Sequence, residues 1–229
     1  TRVLIVINVV VFFFFWISGY DSLEKAILDY GMVPAFILNG KRLYTLFTSM
    51  FMHGGIIHLF GNMLYLYIFG DNIEDTFGHW WYVGFYVISG LVASFAHILS
   101  VSGSLGVYAP AVGASGAISG VLGAYLVLFP KARILTLVFY YYITIAAIPA
   151  IFLLGFWFLF QLLEGALTLG YGVPSGVAYW AHIGGFLVGV VLALIFKAKA
   201  GKKSLEAKLY NSLFFSLRWK WLYGEIGST

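Results

Sequence analysis

Gly113-Ala114-Ser115-Gly116-Ala117-Ile118-Ser119-Gly120 opens an apolar stretch that runs to about Pro130 and reads as a helix. Gly116 and Gly120 are four residues apart and share one helical face, the small-xxx-small pattern that lets two helix backbones approach closely. Ser115 and Ser119 are also spaced i,i+4, in the first turns, where unpaired N–H groups and the positive helix end favour developing negative charge. Read alone, the run is a packing motif in a chain with 27 glycines. Its meaning depends on what the rest of the chain can bring to Ser115.

Of the 229 residues, 62% are apolar and 10% charged, proportions that a soluble domain does not have. The composition therefore predicts a polytopic membrane protein. Apolar blocks fit to cross a hydrocarbon core of about 30 Å fall at about 3–19, 56–73, 79–101, 115–130, 149–167 and 178–196. The expected fold class is all-α, with six transmembrane helices. The first block lacks a small-x-small cleavage site and reads as a span rather than a signal peptide. The first residue is Thr1, so the chain is expected to have been trimmed ahead of it.

A seventh apolar stretch, 134–147, is short and aromatic and is flanked by Lys131 and Arg133; it is expected to be interfacial or re-entrant. With the amino terminus inside, Arg2, Lys131, Arg133, Lys197, Lys199, Lys202 and Lys203 fall on the inner side, against Lys25, Lys41 and Arg42 outside. The positive-inside rule then favours both ends inside. The segment 20–52 reads as a structured lateral element in the outer interface, and the basic, aromatic tail 197–229 as an amphipathic helix on the inner leaflet. The domain reading is one membrane domain over 1–196 followed by that tail.

The balance of 13 Lys and Arg against nine Asp and Glu gives a net charge of +4, but the basic residues lie between apolar blocks and form no groove, which argues against nucleic acid as a partner. The chain has no cysteine, which removes disulfides, thiolate metal sites and cysteine nucleophiles. No cofactor and no metal site are expected.

Polar groups inside spans need a partner or a wet cavity, and three clusters meet that description. His58 and Asn62 are spaced i,i+4 near the start of the second span and offer hydrogen-bond donors on one face. Ser115 and Ser119 open the fourth. His182 lies in the sixth, with Gly185 and Gly189 on about its face. Docking the Gly116/Gly120 face on the Gly185/Gly189 face would bring Ser115 to His182, the minimum for a serine activated by a general base. Asp21, Glu24, Asp29, Asp71, Glu74 and Asp75 lie in loops or at span ends, Glu206 and Glu225 in the tail, and Glu164 near the outer end of its span. A Ser-His dyad is therefore expected rather than a triad. His79 and His97 read as structural, and His53 as a boundary residue that hydrogen-bonds and holds its loop.

These residues resemble the rhomboid family of intramembrane serine proteases: His53-Gly54-Gly55-Ile56-Ile57-His58-Leu59-Phe60-Gly61-Asn62, Gly113-Ala114-Ser115-Gly116 and Ala181-His182-Ile183-Gly184-Gly185-Phe186 match its signatures in order and spacing. The resemblance implies a six-helix rhomboid-like bundle with a lateral loop between helices 1 and 2. It implies Ser115 as nucleophile, His182 as general base and acid, and an oxyanion hole from Asn62, His58 and the Ser115 backbone N–H. Gly113, Gly116, Gly120, Gly185 and Gly189 would support the packing. It further implies a mobile fifth helix over about 149–167 with a capping loop over 168–178.

The partners implied are single-span transmembrane substrates and membrane lipid, in a prokaryotic cell membrane with the site open to the outer side. A non-catalytic relative that binds transmembrane helices in membrane-protein quality control is the alternative, and the presence of both Ser115 and His182 weighs against it. A channel or transporter is disfavoured by the lack of duplicated halves and of a charge at mid-membrane. Zinc and aspartyl intramembrane proteases are disfavoured because there is no His-Glu-x-x-His and Asp71 has no second membrane aspartate. Two departures stand out. Ser119 sits where many relatives carry an aromatic against the histidine, and Lys41-Arg42, with Thr45 nearer the aligned position, replaces a Trp-Arg pair of the lateral loop.

Overall fold

The computed structural model describes residues 1–139, 141–171 and 176–200. In order they form α1 (Arg2–Ile17), α2 (Tyr20–Tyr30), α3 (Pro34–Leu38), α4 (Thr45–Thr48), a 3-10 turn (Ser49–Phe51), α5 (Ile56–Phe77), α6 (His79–Val101), a second 3-10 turn (Leu105–Tyr108), α7 (Ser115–Leu128), β1 (Arg133–Phe139), β2 (Ile143–Pro149), α8 (Ala150–Tyr171) and α9 (Tyr179–Lys199). The six apolar blocks coincide with α1, α5, α6, α7, α8 and α9. Among the described residues, three helices, over His79–Val101, Ala150–Leu169 and Tyr179–Lys199, are long and apolar enough to cross a membrane. Helices α1, with 16 residues, and α7, with 14, are apolar but shorter.

Helix α7 is the hub. Every residue from Gly116 to Tyr125 is buried, and α5, α6, α8 and α9 all pack against it. A helix surrounded on all sides has no polar face to show, which is why this stretch is made of small and aliphatic residues with one buried ring, Tyr125, set edge-on to Phe69 of α5. Close approach to α9 depends on glycine. A Cβ at Gly185 would lie 2.0 Å from the Gly116 carbonyl oxygen, one at Gly189 2.0 Å from the Gly120 oxygen, and one at Gly123 2.2 Å from the Phe186 oxygen. These are backbone atoms and cannot swing aside. On the other flank α6 comes equally close: a Cβ at Gly116 would meet the Ala93 methyl at 2.6 Å.

The all-α expectation is corrected at one place. Residues 133–149 are a two-stranded antiparallel hairpin, with Leu135 paired to Ala147, Leu137 to Ile145 and Phe139 to Ile143. Its Ile, Val, Leu, Phe and Thr content suits the pleat, and its two faces differ in exposure rather than in polarity. Leu135, Leu137, Phe139, Ile143 and Ile145 are all exposed, while Ile134, Thr136 and Val138 are half-buried.

The segment 20–52 is a set of short helices tied together by side chains. Arg42 stands over the Phe36 ring at 4.9 Å and donates through Nη1 to the Leu28 carbonyl, 2.9 Å away. Tyr44 and Thr48 donate to the Asp29 and Tyr30 carbonyls. Thr45 donates to the Arg42 carbonyl at 2.8 Å, closing its own turn. Of the tail expected over 197–229 as an amphipathic helix, Lys197 and Lys199 lie in the last turn of α9, and 201–229 lie outside the described residues.

Candidate functional site

Three backbone ties set the position of Ser115. Met32 and Ala111 form an isolated antiparallel bridge, with N···O distances of 3.0 and 2.8 Å, and Gly113 N donates to the Ser49 carbonyl at 2.9 Å. The loop before α7 is thus fastened to the lateral segment. Gly113 has φ of +131°, a conformation that side chains rarely adopt. A Cβ there would also stand 2.8 Å from His58 Nε2 and 3.6 Å from Ser115 Oγ. Gly113 is therefore a loop residue that leaves room for a histidine, whereas Gly116, Gly120, Gly185 and Gly189 lie between helices.

Ser115 is the first residue of α7, and the α7–α9 contact brings His182 to it. Nε2 of His182 lies 2.9 Å from Ser115 Oγ, and Nδ1 lies 2.8 Å from Gln161 Oε1 on α8. Gln161 is buried. The expectation of a dyad rested on the absence of a nearby carboxylate; the second ring nitrogen is met by an amide instead. Gln161 is the one amide in α8, and a polar group in the middle of a largely apolar span was the signal that could have marked it.

Trp157, one turn before Gln161, packs its ring against His182 with centroids 6.0 Å apart and planes at 33°. The aromatic that Ser119 does not provide thus comes from α8. Ser119 is buried, donates to the Ser115 carbonyl at 2.7 Å, and has its Cβ 3.3 Å from where a Cβ of Gly185 would be. That contact leaves little space for a ring on α7.

His58 and Asn62 both lie on α5, and the His58 ring reaches Gly113 next to Ser115. The Gly54 N–H points to His58 Nδ1 at 3.4 Å, a long contact that leaves the Nε2 side of the ring toward Gly113. Asn62 is buried, and its Nδ2 makes no hydrogen bond among the described residues. A buried amide donor without an acceptor is costly, so something that accepts a hydrogen bond would be welcome there.

His53 differs from its expectation. It is fully buried, neither ring nitrogen makes a hydrogen bond of good geometry, and it packs edge-on to His58 with centroids 5.1 Å apart. Burial first, and then the His58 ring, lower its pKa to about 3, with the Phe51 backbone opposing. It therefore stays neutral and supports His58 by packing. His79, the first residue of α6, is exposed and pairs with Glu74 near the end of α5 at 2.7 Å. His97 lines a cavity of about 40 Å³ together with Ser49, Ser94, Gly113 and Ser115, room for a few waters at ~10–15 Å³ each. Among the described residues no cluster of His, Asp or Glu could hold a metal ion.

A family model described as the Rhomboid domain matches residues 40–199. Over 159 residues the chain is 35% identical to "RHOMBOID-like protein 6, mitochondrial" of Arabidopsis thaliana, covering 69% of this chain and 45% of that protein. It is 32% identical over 163 residues to "Rhomboid protein 1, mitochondrial" of Saccharomyces cerevisiae, covering 70% and 44%. With "Rhomboid protease GluP" of Bacillus subtilis it shares 27% identity over 215 residues, covering 93% and 38%. The chain spans less than half the length of these curated relatives.

Proposed function

The chain belongs to the rhomboid family, and on that premise we propose that it is an intramembrane serine endopeptidase that cleaves transmembrane helices of single-span proteins. The observation that carries the reading is the 2.9 Å contact between Ser115 Oγ and His182 Nε2, made between two apolar helices where a hydroxyl and an imidazole have few other reasons to meet.

His182 Nε2 takes the hydroxyl proton as Ser115 Oγ attacks the scissile carbonyl. The negative oxygen that develops is met by the Ser115 backbone N–H at the α7 N-terminus, by Asn62 Nδ2 and by His58 Nε2–H. On collapse of the tetrahedral intermediate the C–N bond breaks, and His182 gives its proton to the leaving amine. A water activated by His182 then attacks the acyl-serine, its proton returns to Ser115 Oγ through the ring, and the carboxyl product leaves. The cavity lined by Ser49, Ser94 and His97 reaches Ser115 and would supply that water.

We further read the protein, which is integral to the membrane, as crossing it six times, with both ends on the inner side and Ser115 in the outer half. Helix α7 has 14 residues, about 21 Å at 1.5 Å per residue. That is shorter than the hydrocarbon core, so its first residue sits below the outer surface rather than at it. The test is cleavage of a reporter transmembrane substrate by the purified protein in vesicles. Ser115→Ala and His182→Ala should each abolish it while the protein stays folded; retention of cleavage in either would refute the assignment.

A further inference from the structure

The hydrolytic steps leave Gln161 unused. It is buried, belongs to a helix that contributes none of the reacting groups, and has its amide oxygen 2.8 Å from His182 Nδ1. Two amide orientations are conceivable at such a contact, and they have opposite consequences. An amide oxygen accepts only from Nδ1–H; the proton is then on Nδ1, and Nε2 is bare to accept from Ser115. An amide NH₂ turned toward Nδ1 would push the proton to Nε2, which would then donate to Ser115 Oγ and could not remove its proton. Only the first orientation fits a base that faces Ser115.

We propose that Gln161 is a positioning residue that accepts the Nδ1–H of His182 and so fixes the tautomer and ring angle in which Nε2 faces Ser115. The inference rests on the protease reading. Trp157 and Gln161 are four residues apart on α8 and meet the same ring, one by a tilted ring contact and the other by a hydrogen bond at Nδ1. Docking of α8 on α9 is independently fastened by Trp180 Nε1, which donates to the Gly165 carbonyl at 3.0 Å. A neutral amide suits the place, because a carboxylate among apolar helices would carry a large desolvation penalty. Gln161 thus orients the base without compensating the imidazolium charge. The ionisable groups closest in effect to His182 are His58 of α5 and His97 of α6, while Glu164, further along α8, interacts with Tyr179.

The test compares Gln161→Met, which keeps length and packing and removes the acceptor, with Gln161→Glu, which when ionised accepts and cannot donate. Substrate cleavage is followed across pH, with the rate of fluorophosphonate labelling and the thermal unfolding midpoint measured on the same preparations. Gln161→Met should lower kcat and labelling rate by about 10- to 10³-fold with KM little changed, short of the ~10⁴-fold loss that a wrong tautomer costs in a Ser-His-Asp site. Gln161→Glu should retain activity and move the acid limb of the pH profile upward, because a carboxylate favours the protonated ring.

Wild-type rates in Gln161→Met, or equal impairment of both variants with the acid limb unmoved, would overturn the inference alone. Should Gln161→Met fail to fold, the acid limb of Gln161→Glu decides. A wild type that neither cleaves nor labels would overturn the protease reading and this inference with it.

Discussion

The Ser115 hydroxyl and the His182 ring lie 2.9 Å apart because Gly116 and Gly120 on one helix and Gly185 and Gly189 on the other let two backbones come nearly into contact. Packing and alignment are therefore one property of the α7–α9 interface, and disturbing it should affect both.

Gly185→Val puts a branched side chain where even a Cβ would stand 2.0 Å from the Gly116 carbonyl oxygen. Overpacking of this kind typically costs about 1–3 kcal/mol, so the unfolding midpoint in detergent should drop and cleavage should be lost. Gly61→Ala on α5 is the control, since nothing stands within 4 Å of a Cβ there. It should be neutral or slightly stabilising, by up to about 1 kcal/mol from helix propensity, and should leave the rate unchanged.

Gly113→Ala meets two obstacles at once, a φ of +131° and the His58 Nε2 2.8 Å from the new methyl. Its effect should fall on turnover, because His58 must move away from the reacting oxygen. A kcat loss larger than the change in KM, measured on a reporter substrate, is the expected result.

On the proposed mechanism Asn62→Ala removes one donor from the developing oxyanion and leaves the base and nucleophile in place. Turnover should fall by about 10²- to 10³-fold, the usual cost of one such donor, without disappearing. Fluorophosphonate labelling should slow in parallel.

His53 supplies a pH dependence of stability. Its pKa is about 3 in the folded chain against the ordinary 6.5, so the unfolded chain binds the extra proton. Its contribution is complete above about pH 6.5 and is lost as pH falls toward 3, with a slope of at most ~1.4 kcal/mol per pH unit for one proton. His53→Leu should flatten the acid side of the thermal-unfolding profile by that one proton; an unchanged slope would contradict the assignment.

Much of the arrangement was legible because membrane burial leaves few ways to place a polar group. The apolar blocks coincide with helices, and the spacing of Ser115, Gly116 and Gly120 against His182, Gly185 and Gly189 indicated which faces meet. What was not legible has physical reasons. The hairpin at 133–149 alternates between faces that are both largely apolar, such as Leu135 and Leu137 against Ile134 and Val138, so its period of two was hidden from hydropathy. Trp157 and Gln161 act on His182 from a third helix, and no local spacing reveals which turn of α8 will face that ring. His53 carries a polar signature in sequence but is held chiefly by packing against His58, which only its three-dimensional surroundings disclose.

Labelling of the purified protein by a fluorophosphonate decides whether Ser115 is an activated nucleophile. The wild type should be labelled covalently at Ser115, with Ser115→Ala unlabelled and His182→Ala labelled far more slowly. Equal labelling of wild type and Ser115→Ala, or none in a folded wild type, would contradict the account.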